Sequence, residues 1–238
     1  MIDMRGYFTH RAYPCVVDKF KKSFDESQLN CDDYWFSFTD LQRKISNNKC
    51  PICEVELSGY PNKTNTATLD HFKPKAQNMY PQLKCEPKNY ILMCSLCNST
   101  YKEDKFPLLD ERPLLFNPTE EDPLDFFELA FRYSGQGGIL ELKRESNISK
   151  GSYTYKRCEA MIKMFGLGYC DKDIHPNDEV KKCRIDILTK HYGMFIELAK
   201  ARSSKKSLAH FFKDKNRVNE LKKYGFFRFI MKEQFSIN

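Results

Sequence analysis

The sequence predicts an α+β protein in which a zinc-clamped core of short strands is embedded in a mainly α-helical chain. Three observations lead there. Two C-x-x-C pairs, Cys50/Cys53 and Cys94/Cys97, bracket forty residues in which β-prone pieces alternate with Pro and Asn punctuation. Apolar residues on either side of that stretch recur at helical spacing. The 238 residues are 41% apolar, with 39 Lys+Arg against 32 Asp+Glu. That composition supports a folded core and excludes a wholly disordered chain. The expected divisions are an N-terminal helical segment (1–49), the clamped core (50–106) and a mainly helical C-terminal region with a basic tail (107–238).

The elements follow in order. Tyr34, Trp35, Phe38, Leu41 and Ile45 form one helical stripe that stops at Asn47-Asn48, so a helix leads into the first Cys pair. Thr66–Phe72 and Tyr90–Met93 read as strands. Residues 110–128 hold seven Asp/Glu against Arg112 alone, with Pro113, Pro118 and Pro123, and read as a solvated connector. Ser134–Gly138 is a turn between strands that include Phe131–Tyr133 and Ile139–Leu142. Tyr155, Cys158, Met161/Ile162 and Phe165 make a helix closed by Gly166. Val180 through Leu198, and then Leu208, Phe211, Phe212, Val218 and Leu221, continue the helical pattern, followed by the aromatic cluster Phe226, Phe227, Phe229 and Ile230.

No stretch approaches the ~18 apolar residues of a membrane span. The start is charged from Asp3 onward without an apolar secretory region. The expectation is a soluble cytoplasmic protein with no membrane partner, whose ten Cys are kept as thiols. Six of them (Cys15, Cys31, Cys85, Cys158, Cys170, Cys183) are scattered and read as small buried hydrophobes. The other four supply soft ligands in two knuckle-spaced pairs, the donor set of a closed, structural Zn²⁺ site. A thioredoxin-like redox pair would need a helix opening at Cys50-Pro51-Ile52-Cys53. Turn material, Ser58-Gly59-Tyr60-Pro61, follows instead, and the second pair would go unexplained.

Inside the clamp lie Leu69-Asp70-His71-Phe72-Lys73-Pro74-Lys75, then Asn89-Tyr90-Ile91-Leu92-Met93, then Cys97-Asn98-Ser99-Thr100-Tyr101-Lys102. Asp-His, two separated Asn and a second knuckle in this order resemble the HNH nuclease family, built on a ββα-metal core. The chemistry follows from the residue types. Phosphodiester hydrolysis needs an activated water, a cation beside the phosphate and fixed geometry. His71 is suited to take the water's proton, since a neutral imidazole predominates near pH 7.

By resemblance, Asp70 and Asn98 supply oxygen ligands to a catalytic Mg²⁺ or Mn²⁺. Asn89 is the family's middle Asn, expected to hold the loop that orients His71. Lys73, Lys75, Lys102 and Lys105 are expected to neutralise phosphate charge. All-histidine members place a ligand His where this chain has Lys102, which makes it the Asp/Asn variant and favours a hard cation. His10, His175, His191 and His210 have no such company.

A longer set of matches, including Asp104-Lys105-Phe106-Pro107 and Leu115-Phe116-Asn117-Pro118, resembles the PtuB-type HNH proteins of Septu anti-phage systems and some retrons. That resemblance implies a bacterial defence effector acting on nucleic acid, DNA before RNA. Its implied companions are a PtuA-like SMC/ABC ATPase and, in retron systems, a reverse transcriptase with its DNA. This sequence has no Walker motif, so ATP use would belong to another chain. Two other readings remain open: a zinc module that binds nucleic acid or a partner without cutting, and a stand-alone restriction-type nuclease. The tail from residue 200 carries 11 Lys+Arg against 3 Asp+Glu, a net +8. Its charge and aromatic residues suggest a surface for phosphate or a partner.

Overall fold

The computed structural model describes residues 1–27, 35–61, 63–134, 137–144, 147–167, 210, 212–225 and 228. They divide into two compact units, 1–122 and 123–238. The helical stripe from Val180 to Leu198, Leu208, Phe211 and the Phe226–Ile230 cluster lie outside the described residues.

The first unit is organised around a two-stranded antiparallel sheet, β1 (Ala67–His71) and β2 (Tyr90–Cys94). Its register pairs Ala67 with Cys94 and His71 with Tyr90. β2 is buried along its whole length, whereas in β1 the inward residues are Leu69 and His71. Two helices cover the sheet. α1 (Tyr13–Ser27) contributes Phe20, with Val16 and Val17 packed beside it, and α2 (Trp35–Ile45) contributes Phe38 and Leu41.

The resulting core is aromatic. Phe20, Phe38 and Tyr90 meet edge to face at centroid distances of 5.3–6.5 Å, an arrangement favoured by the ring quadrupole. α2 ends where expected, with Asn47 and Asn48 both at positive φ (54° and 58°), a backbone state that Asn tolerates better than most residues.

Gln42 on α2 was not foreseen. It is fully buried, and its side-chain amide donates from Nε2 to Tyr90 O (3.0 Å) while Oε1 accepts from Leu92 N (2.7 Å). One side chain thereby satisfies two backbone groups of β2 that no strand reaches.

After β2 the chain turns at Ser95 into a π-helix, Leu96–Lys102. A hairpin of β3 (Leu108–Leu109) and β4 (Arg112–Pro113) follows, its two turn residues Asp110 and Glu111 both at positive φ. The acidic stretch is therefore not a solvated connector throughout. Leu115, Phe116, Asn117, Thr119 and Asp122 are buried. Asn117 Oδ1 caps the local turn by accepting from Thr119 N and Oγ1, and Pro118 O accepts from Met4 N. Apolar Leu-Phe overrides the acidic average around it.

In the second unit, β5 (Phe127–Ser134) and β6 (Gly137–Arg144) pair antiparallel from Phe127↔Arg144 to Ser134↔Gly137. α3 (Tyr153–Phe165) starts at Ser152, whose side chain accepts from Tyr155 N. It ends at Gly166 in the left-handed region, and it buries Tyr155, Cys158, Met161 and Phe165, the stripe expected from the sequence. A short helix, Lys215–Leu221, is capped by Asp214 and buries Leu221. Among the described residues no helix is long and apolar enough to cross a membrane.

Replacing Gln42 by Leu strands a buried carbonyl and a buried N–H, at ~1–3 kcal/mol each. Urea denaturation of the variant should show a loss of about 2–6 kcal/mol.

Candidate functional site

The four knuckle cysteines come together. Cys50, Cys53, Cys94 and Cys97 are all buried, and their Sγ atoms lie within 4.8 Å of one another. The Cys53–Cys94 sulfur separation is 3.7 Å, close to the ~3.8 Å edge of a tetrahedron with Zn–S bonds of about 2.3 Å. The cluster could hold zinc. The first knuckle is a tight turn: Glu54 N donates to Cys50 O (2.8 Å) and Glu54 sits at φ 62°. Backbone N–H groups also aim at sulfur, Cys94 N at Cys50 Sγ (3.3 Å) and Cys97 N at Cys94 Sγ (3.4 Å). Contact with the other three sulfurs, Cys50 first, pushes the Cys94 thiol well up. A divalent cation would remove the reason for that shift.

The remaining cysteines need two corrections. Cys15 is exposed, not a buried hydrophobe, and Cys85 is disulfide-bonded, not a thiol. Composition describes the compartment and cannot see which sulfurs the fold makes neighbours. Cys158 is buried, and its Sγ donates to Phe126 O (3.3 Å).

Beside the sulfur cluster, a cleft of about 240 Å³ is lined by Trp35, Asp70, His71, Lys75, Asn98, Glu103 and Asp104, with Leu69 and Pro74. β1 ends at His71, so Asp70 and His71 can both border this cleft although their side chains leave opposite faces of the strand.

His71 is 4% exposed and wedged edge to face between Trp35 (5.6 Å) and Tyr90 (5.3 Å). Its Nε2 lies 2.8 Å from Lys84 O. A carbonyl can only accept, so Nε2 carries the proton, and in the neutral ring the basic lone pair is on Nδ1. Tyr90 Oη donates to the same carbonyl (3.0 Å).

Lys84 is fixed through Asn89. The Asn89 side chain accepts from Lys73 N (2.9 Å) and donates to Lys73 O (2.9 Å) and Leu83 O (3.3 Å). It ties both ends of the loop between the strands, and that loop presents the carbonyl that orients the imidazole.

Asn98 lies in the first turn of the π-helix. Its Nδ2 donates to Thr68 Oγ1 (3.1 Å), so Oδ1 is the amide atom left to act as a ligand. Burial pushes the Asp70 carboxyl up, with Asp104 adding to the shift, while the Lys102 ammonium opposes it. Lys102 Nζ is 2.8 Å from Asp70 Oδ2. This is an ion pair more than an aligned hydrogen bond, since Oδ2 accepts none among the described residues.

The lysines do not form one set. Lys102, expected to meet phosphate, is wholly buried and also donates to His71 O (2.9 Å). It anchors the end of β1 to the π-helix, because the wide helical turn carries it inward beside the carboxylate. Lys105 is exposed and pairs with Glu103 (2.8 Å). Lys73 Nζ sits 5.5 Å from the Tyr80 ring centroid and Lys75 Nζ 5.1 Å from that of Trp35. Trp35, Glu103 and Asp104 were missed as cleft residues. From sequence, Trp35 reads only as part of a helical stripe and Asp104 only as part of a family match, and Glu103 is passed over.

The chain resembles the Septu protein PtuB. To the PtuB of Bacillus mycoides (strain KBAB4) it is 28% identical over 155 residues, covering 55% of this chain and 46% of that protein. The chain thus spans about half the length of the curated relative it matches. No family model matches the chain, and no solved structure does.

Elemental analysis of freshly purified protein should find one zinc per chain. Cys50→Ser or Cys97→Ser should lower soluble yield sharply, since the folding free energy of such a site comes largely from the metal. Lys102→Met strands the Asp70 carboxylate and should cost roughly 3 kcal/mol. Adding Asp70→Asn should recover much of that loss, a coupling that a denaturation double-mutant cycle reads directly.

Proposed function

We propose that this chain is a metal-dependent nuclease of the HNH type, acting as the effector of a Septu-like anti-phage defence system. The observation that carries the reading is the gathering of Asp70, His71 and Asn98 around one cleft, with the His71 ring held so that Nδ1 is its basic nitrogen. The resemblance to Septu protein PtuB supplies the biological setting.

In this reading His71 Nδ1 takes a proton from a water, and the resulting hydroxide attacks phosphorus from the side opposite the leaving oxygen. The Lys84 carbonyl holds the ring upright and stabilises the imidazolium that forms. Asn89 fixes that carbonyl, so it is a positioning residue. Asp70 and Asn98 would hold Mg²⁺ or Mn²⁺. The fit rests on the all-oxygen donor set that Asp70 and Asn98 offer at one cleft. The cation would supply charge neutralisation at the phosphate and the leaving oxygen. Lys75 borders the same cleft and adds positive charge for the backbone of the nucleic acid.

The partner is part of the proposal. A PtuA-like ATPase would provide the nucleotide-dependent step for which this sequence has no Walker motif. DNA is the first substrate to try.

Incubating the protein, alone and with its ATPase partner, with plasmid and total cellular RNA tests the reading. Cleavage should appear in Mg²⁺, vanish in EDTA, and fall at least ~10³-fold in His71→Ala, with zinc content unchanged. Asp70→Ala and Asn98→Ala should regain part of their activity in excess Mg²⁺. Undiminished cutting by His71→Ala would overturn the mechanism.

A further inference from the structure

Trp35 is the chain's single tryptophan and it borders the candidate cleft. Three features set it apart from the aromatic core behind it. Its ring meets His71 edge to face at 5.6 Å, so it adjoins the imidazole directly. Although the ring also packs against the core beside Tyr90 (6.4 Å), Lys75 Nζ lies 5.1 Å from its centroid, which places an ammonium over the indole face. Its Nε1–H is buried and makes no hydrogen bond among the described residues, which is unusual for an indole that serves only to pack.

Lys75 follows Pro74, whose fixed φ limits where the lysine backbone can go. Lys73, two residues earlier, repeats the motif over the Tyr80 ring. A flat ring, a cation on its face and an imidazole at its edge are elements from which nucleotide-stacking sites are built.

We infer that Trp35 and Lys75 form a nucleotide subsite, in which the indole face stacks a base adjoining the scissile phosphate while the Lys75 ammonium leaves the ring for that nucleotide's phosphate. The inference rests on the nuclease reading only in placing the scissile phosphate at His71. A base stacked on indole is not stacked on its neighbours, so the substrate class is nucleic acid unpaired at the cleavage point: a single strand, or a loop or junction within a duplex.

The lone tryptophan supplies the test. Full-length protein without added Mg²⁺ is titrated with a single-stranded oligonucleotide and with the matching blunt duplex. Binding is followed by Trp35 fluorescence and, independently, by anisotropy of a labelled strand. The single strand should quench Trp35 and bind more tightly than the duplex. Trp35→Leu should weaken single-strand binding about tenfold, whereas Trp35→Phe, which keeps a stacking face, should retain most of it. Lys75→Ala should weaken binding and flatten its salt dependence by about one phosphate contact.

An unquenched Trp35 in the intact protein, equal or tighter duplex binding, or single-strand affinity unchanged in Trp35→Leu would each overturn the subsite. The fluorescence arm needs no variant, so it decides the matter even if Trp35→Leu misfolds. The two readings fail separately. Cleavage with no role for Trp35 refutes the subsite alone, and Trp35-dependent binding without cleavage in Mg²⁺ refutes the nuclease alone.

Discussion

Cys94 is both the last residue of β2 and one of four sulfurs gathered within 4.8 Å, so the sulfur cluster and the strand pair cannot move independently. Through Cys50 and Cys53 the same cluster reaches back to the end of α2. A zinc ion held by the four sulfurs would close the forty residues between the two knuckles into a loop, offsetting an entropy cost that grows only as the logarithm of loop length. The rest of the first unit is then local. β1 pairs with a strand already pinned, the π-helix starts from a pinned residue, and the cleft lies between them.

That arrangement concentrates polar groups where little water reaches. Asp70 is held near Lys102, and Lys102 also bonds the His71 carbonyl, so one ammonium spans two successive residues of β1. On the opposite face the imidazole is set by a carbonyl, the carbonyl by a loop, and the loop by Asn89. Each group is restrained by something other than the ligand it would serve. Such independence gives a site its geometry before anything binds.

Much of this was legible in the sequence because it depended on spacing. The C-x-x-C pairs gave the cluster, the Trp35-Phe38-Leu41-Ile45 stripe gave α2, and the β-prone piece Thr66–Phe72 gave β1. What escaped depended on three-dimensional partners. Tyr13, Val16, Val17 and Phe20 have the spacing of α1, yet Lys19, Lys21 and Lys22 around Phe20 mask it. Asp110-Glu111 looks like acidic linker because nothing in its composition announces a two-residue hairpin turn. Lys102 reads as a phosphate-facing lysine because an ammonium is expected in water, whereas the fold buries it. Only the π-helical turn, which no propensity scale signals, brings it against a carboxylate. The cleft residues Trp35, Asp70, His71 and Asn98 come from an α-helix, a strand and a π-helix, and their convergence follows from the sheet register.

Gln42 has a further consequence. A two-stranded sheet has two open edges, and a fully apolar strand such as Tyr90–Cys94 presents the kind of edge that recruits a strand from another molecule. On β2, Tyr90 O and Leu92 N are already taken by the Gln42 amide. A side chain thus occupies the position of a third strand without offering a fresh edge beyond it. The sheet stops growing there, and this wholly buried apolar strand is hidden from neighbouring copies of the chain.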